Sequence, residues 1–189
     1  MSTYTIRRAT QDDLDGIVDL RLHAEQWLHQ RGINQWTVTQ RGMDSIRTRM
    51  DAASMYAIDH EGVLVGSVTL DGPDLDFWTP QEAEAPALYL YKLMIHSDHR
   101  GRGLGDAVLD WACAKAEGQG LSWLRIDVWK TNTKLHQYYL TRGFEYVRTA
   151  HASGRNSGAL FQRPTSRRLA DPEQITITDT TSDKEVRAP

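Results

Sequence analysis

The chain has 189 residues, of which 40% are hydrophobic and 25% charged, and a formal net charge of −3. This is one domain's worth of ordinary globular composition; the two signs of charge are interspersed, so there is no basic stripe for a nucleic-acid backbone, and no apolar run reaches the length of a signal or membrane-spanning segment. The single cysteine, Cys113, has no internal disulfide partner, so a cytoplasmic, reduced setting is expected.

In chain order, residues 4–8 alternate and read as an opening strand. Asp12 and Asp13 start an amphipathic helix with Leu14, Ile17, Val18, Leu22, Trp27 and Leu28 on its apolar side, ended by Gly32. A loop carrying Trp36 follows, then a second, more charged helix over 42–53. Residues 55–59 and 63–70 read as a hairpin joined by His60, Glu61 and Gly62. From 71 to 86 the chain is acidic and proline-bearing around Phe77 and Trp78, and is expected to be an exposed loop.

The apolar run over 87–95, Ala-Leu-Tyr-Leu-Tyr-Lys-Leu-Met-Ile, predicts a largely buried strand. After the turn Arg100-Gly101-Arg102-Gly103-Leu104-Gly105, residues Leu104, Ala107, Val108, Trp111 and Ala112 share one face of a helix running to Gly118. Cys113 falls on the opposite face with Asp106, Asp110 and Glu117, whose carboxylates would raise its pKa, so it is read as structural rather than nucleophilic. Residues 123–129 form the next strand, parallel to its predecessor. Asn132 caps a helix over 133–141, Gly143 stops it, and 144–147 with 158–162 make a final antiparallel pair. The domain is expected to span 1–165, and 166–189 has no packing face and is expected to be a disordered tail.

Strand, glycine turn and helix in that order make an anion site. The first helical amides lack intrahelical partners, glycine lets the backbone approach closely, and Arg100 and Arg102 add directed donors. Spacing excludes two nucleotide motifs. A P-loop would have Lys and Ser or Thr where Asp106 and Ala107 stand, and the dinucleotide fingerprint needs Gly-x-Gly-x-x-Gly. His96 and His99 lack metal-ligand spacing, are read as solvent-facing, and no metal is expected.

The turn resembles the acetyl-coenzyme A loop of the GNAT superfamily of N-acetyltransferases, matched by Arg100, Gly103 and Gly105, and the likeness continues through Asn132, Tyr139, Gly143 and Phe144 in the family's downstream order and spacing. The resemblance implies an α+β fold: a mixed, mostly antiparallel sheet of six to seven strands, about four helices, splayed at the acetyl-CoA site. It implies that Leu93, Met94 and Ile95 bind the thioester and pantetheine through their backbone. Residues Arg100, Gly101, Arg102, Gly103, Leu104 and Gly105 would cradle the pyrophosphate, with Asn132 also on the cofactor side.

By the same resemblance Tyr139 protonates the departing thiolate, while Tyr91 orders a proton path from the amine with Glu84 or Asp76 behind it. Trp36, Asp76, Trp78 and Tyr89 would meet the acceptor, and the acidic residues Asp71, Asp74 and Asp76 would favour a small cationic amine. The implied activity is acetyl transfer from acetyl-CoA to an amine by direct attack. A coenzyme A-binding sensor without turnover, and acetylation of a protein or aminoacyl-tRNA amine, are the alternatives. Many family members are homodimers, and no feature of this sequence decides that point.

Overall fold

A computed structural model describes residues 2–33, 35, 40–52, 54–171 and 173–181. Its elements in chain order are β1 (Ser2–Arg8), α1 (Leu14–His29), α2 (Gln40–Asp51), β2 (Met55–His60), β3 (Val63–Asp71), α3 (Pro80–Ala83), β4 (Ala87–Ile95), α4 (Leu104–Gly118), β5 (Trp123–Trp129), α5 (Thr133–Thr141), β6 (Glu145–Thr149), β7 (Ser157–Pro164) and β8 (Ile175–Asp179). The class is α+β with mostly antiparallel pairing, as expected, with eight strands among the described residues rather than six or seven. The chain forms two units: Leu70–Tyr91 with Asp106–Ala170 make the second, and the remainder the first.

In the first unit the strand order is β3-β2-β1-β8. β1 and β2 are antiparallel, β2 and β3 form the expected hairpin, and β8 lies parallel to β1 with Ser2 opposite Ile175. The expected structureless tail is therefore corrected over 175–179. Its alternating Ile-Thr-Ile-Thr is a strand pattern, and the edge of β1 supplies the backbone partners that make it one. Arg7 ties three elements together by reaching Asp13 at the start of α1 (2.7 Å) and Asp59 on β2 (2.6 Å). The core of this unit is Ile17, Ile46, Met50, Met55 and Met94, with Leu14 and Leu64 packed against it.

In the second unit the order is β6-β7-β5-β4. β4 and β5 are parallel, as the helical crossover requires, with residues 87–89 against 123–125, and residues 90–95 of β4 run on beyond that ladder. Phe77, Trp78, Tyr89, Ala150 and Leu160 form the core here. The exposed loop expected over 71–86 is thus corrected. Phe77 and Trp78 are only 2% and 1% exposed, and Thr79 and Glu82 build a capping box that starts α3 at Pro80. The polar residues that suggested a solvated loop are the ones that cap this short helix and anchor it.

Cys113 is also corrected: it is fully buried, and Arg163 Nη2 donates to its sulfur at 2.9 Å. α4 buries two faces, because Arg163, itself fully buried, brings a cation that Asp110 can meet at 3.1 Å. Burial pushes the Cys113 thiol up, against the lowering influence of Arg163, so it stays protonated.

Gly66 on β3 is where backbones come closest in the first unit. A Cβ there would sit 2.8 Å from the Met94 carbonyl oxygen and 3.2 Å from Ile58 Cδ1. A backbone carbonyl cannot swing aside as a side-chain end can, so Gly66→Ala is expected to destabilise the fold by about 1–3 kcal/mol, read as a lower urea midpoint at unchanged slope.

Candidate functional site

The segment between β4 and α4 begins with a short 3-10 turn, Ser97–His99, and places Arg100 in an extended conformation. Gly101 and Gly103 then take left-handed φ angles of 72° and 83°, a conformation that is strained for any other L residue. Gly105 already lies inside α4. Arg102 is exposed on this turn. His96 N–H donates to the Val65 carbonyl (2.8 Å), which pins the end of β4 to β3 within the first unit. Upstream, Lys92 has a φ of 49°, so β4 carries a left-handed residue just before Leu93, Met94 and Ile95. Of these three, Met94 is buried and the other two are partly exposed.

Arg100 does not point freely into solvent. Its Nε donates to the Ile95 carbonyl (2.9 Å), and its guanidinium lies 4.5 Å from the centre of the Trp27 ring on α1. Arg31 lies against the same ring at 3.9 Å. Burial first, and then repulsion from Arg31, work against the charge on Arg100. The expected solvent-facing histidines are half-buried instead: His96 packs edge-on against His23 (5.7 Å), and His99 Nδ1 shares a hydrogen bond with the Tyr4 hydroxyl (3.1 Å). Burial and neighbouring His60 depress the pKa of His99. Among the described residues, no group of three or more His, Cys, Asp or Glu could hold a metal ion.

In the second unit, Asn132 Oδ1 accepts from Leu135 N–H (3.1 Å) and caps α5, a role that employs the side chain within the protein. Tyr139, on α5, is 7% exposed and packs edge-on against Tyr138 and Phe144, both at 5.2 Å. Its hydroxyl has no hydrogen-bond partner among the described residues. Burial raises its pKa above that of ordinary tyrosine, so it is a neutral phenol at physiological pH.

The expected acceptor residues are distributed differently. Trp36 lies outside the described residues. Trp78 and Tyr89 are each 1% exposed and pack on one another, and the Tyr89 hydroxyl accepts from Arg125 (3.0 Å), so neither ring forms an open wall. Asp76 and Asp74 share Arg155 at 3.0 and 2.8 Å, so a single cation offsets part of the charge expected to attract a cation. The Tyr91 hydroxyl donates to the Gly72 carbonyl (2.8 Å). Sequence reasoning did not single out His23, Gln26 and Gln30; their spacing of three to four residues around Trp27 is the signal that a polar helical stripe accompanies that ring.

Solved structures share this α+β architecture. An acetyltransferase of the GNAT family from Listeria monocytogenes 4b F2365 has a TM-score of 0.69 at 23% identity, over 85% of this chain and 94% of that one. The paia N-acetyltransferase of Thermoplasma acidophilum, solved in complex with coenzyme A, has a TM-score of 0.63 at 16% identity, over 87% and 99% of the two chains. In sequence, the uncharacterized N-acetyltransferase YesJ of Bacillus subtilis (strain 168) is 28% identical over 152 residues, 77% of this chain and 83% of its own. Residues 20–144 match the model of the acetyltransferase (GNAT) family, and the chain belongs to that family. It is an acyltransferase with acetyl-CoA as cosubstrate. Among the described residues, no helix is long and apolar enough to cross a membrane.

The segment that carries Trp78 is held by a carboxylate with a strongly altered pKa. Arg148 donates to Glu82 from Nε (2.8 Å) and Nη2 (2.6 Å), and its Nη2 also reaches the Phe77 carbonyl at 2.8 Å. The Arg148 guanidinium, helped by Thr79, holds the Glu82 carboxyl at about 2 instead of 4.5. A folded-state pKa below the unfolded one gives stability that is complete above about 4.5 and is lost as pH falls towards 2. The stability advantage of wild type over Glu82→Gln in urea unfolding is therefore expected to be largest near neutral pH and to shrink from pH 4.5 downwards.

Proposed function

We propose that this protein transfers the acetyl group of acetyl-CoA to an amine by direct attack, with the chain's backbone binding the coenzyme and Tyr139 serving the leaving sulfur. The observation that carries the reading is the unpartnered, neutral hydroxyl of buried Tyr139, on the helix that Asn132 caps. The left-handed glycines at 101 and 103 support a loop whose amides turn towards a diphosphate, with exposed Arg102 adding charge. The backbone of Leu93, Met94 and Ile95 is the segment assigned to pantetheine and to polarising the thioester carbonyl.

An alkylamine must lose a proton to attack, and the thiolate must gain one as the C–S bond breaks. A phenol above pKa 10 is a weaker acid than an ordinary thiol near 8.5, so in water it would not hand over its proton completely. Burial raises the proton affinity of thiolate and phenolate alike, so it leaves that order of acidity in place. Tyr139 is thus suited to hydrogen-bond the sulfur while charge develops, and a proton it passes to the departing thiolate is restored by the one the nitrogen sheds on forming the amide. Tyr91, whose hydroxyl donates to the Gly72 carbonyl, would order water on the amine side. Because Arg155 is shared by Asp74 and Asp76, the field these two carboxylates offer a cationic acceptor is reduced.

Free-thiol release from acetyl-CoA against a panel of amines tests the reading. Tyr139→Phe is expected to lower kcat on the order of 10²-fold with coenzyme A affinity within about twofold of wild type, since no binding contact is removed. Binding of acetyl-CoA without thiol release across the panel would assign the sensor role instead. Gly103→Ala, which meets no atom within 4 Å but sits at a φ of 83°, is expected to weaken coenzyme A binding about tenfold by forcing the loop out of its conformation, with no comparable loss of fold stability.

A further inference from the structure

Between the C-terminal half of α1 and the end of β4 the first unit holds a cavity of about 180 Å³. Its polar lining comes from His23, Gln26, Gln30, His96, Ser97 and Arg100, with the Trp27 ring as an apolar wall, and no carboxylate is among the lining residues. His96 Nδ1 accepts from Asp98 N–H at 3.4 Å, and the exposed Asp98 carboxylate lies 3.8 Å from the same nitrogen. Arg100 and Arg31 lie against one indole with no carboxylate paired to either among the described residues, so two cations repel there without compensation. An anion in the cavity would relieve that repulsion and find a guanidinium, imidazoles and amides as donors.

This cavity is separate from the glycine loop. The Arg100 side chain is committed to the α1 side by its bond to the Ile95 carbonyl and its contact with Trp27, whereas the left-handed glycines lie after it in the chain. Its volume is enough for an acid group with a few carbons. Ile95 lines it as well, so it adjoins the strand segment assigned to the thioester end of the coenzyme. We infer that this cavity is the subsite for an anionic group, carboxylate or phosphate, carried by the amine acceptor, which makes the substrate an amino acid or a comparable amino-acid-like compound. The inference rests on the acetyl-transfer reading of the protein.

The test uses the full chain and Gln26→Glu, which places a negative charge at an exposed helical position where Glu is well tolerated. Thiol release is measured with L-amino acids, O-phospho-L-serine and phosphoethanolamine, each beside the matching amine that lacks the acid group. Acid-bearing acceptors are expected to be favoured at least tenfold in kcat/KM. In Gln26→Glu their KM should rise about tenfold while kcat, the amines without acid groups and the affinity for coenzyme A stay as in wild type. Equal use of both members of each pair, or an unchanged KM in the variant, would overturn the inference. So would weaker binding of coenzyme A but not of 3′-dephospho-coenzyme A, which would give the cavity to the coenzyme's own phosphate. If no amine is acetylated, fluorescence titration with the same acids separates the two failures. Saturable binding that Gln26→Glu abolishes would retain the anion site and reject acetyl transfer, and no binding would reject both.

Discussion

A left-handed residue inside a β-strand costs about 1–2 kcal/mol, and it persists only where the surroundings over-determine it. Lys92 in β4, at a φ of 49°, is such a residue, and the strand beyond it is held firmly. The Met94 side chain packs among Ile17, Ile46, Met50 and Met55. The Met94 carbonyl abuts Gly66, and His96 N–H reaches the Val65 carbonyl. The carbonyl of Ile95 is taken by a side chain, Arg100, and that one bond aims the guanidinium at Trp27. The backbone distortion in β4, the glycine loop and the cationic cavity on α1 are therefore successive consequences of how one strand ends.

The parts of this arrangement that depend on local periodicity were legible in the sequence. β4, β5 and α5 have the expected limits of 87–95, 123–129 and 133–141, because each combines a clean apolar pattern with a glycine or a capping residue at its end. The order of strand, glycine turn and helix follows for the same reason. What could not be read depends on partners distant in the chain. The alternation of 175–179 becomes a strand only because β1 has an unpaired edge, and the burial of Phe77 and Trp78 depends on Tyr89, Ala150 and Leu160. The second buried face of α4 is created by Arg163, fifty residues after Cys113.

The candidate site divides along the same line. The loop glycines and the identity of Tyr139 are local facts, and family membership follows from residues 20–144. Whether a tyrosine hydroxyl is engaged or idle is not local: Tyr89 gives its oxygen to Arg125 and Tyr91 its proton to Gly72, while Tyr139 finds no partner among the described residues. Three tyrosines that look equivalent as residue types thus have different chemical availability.

Charge shows most clearly why composition misleads about specificity. The chain is acidic overall, at −3, and its acidic segment suggested an attraction for cations. Yet several carboxylates of that segment and of the helices are ion-paired: Asp74 and Asp76 share Arg155, Glu82 meets Arg148, Asp106 meets Arg142, Asp110 meets Arg163 and Glu117 meets Arg168. In the first unit Arg7 takes both Asp13 and Asp59. A paired charge has little field left for a ligand, whereas the guanidinium groups on Trp27 retain theirs. The sign a ligand meets is set by the charges left over after pairing, and on the Trp27 ring those are positive.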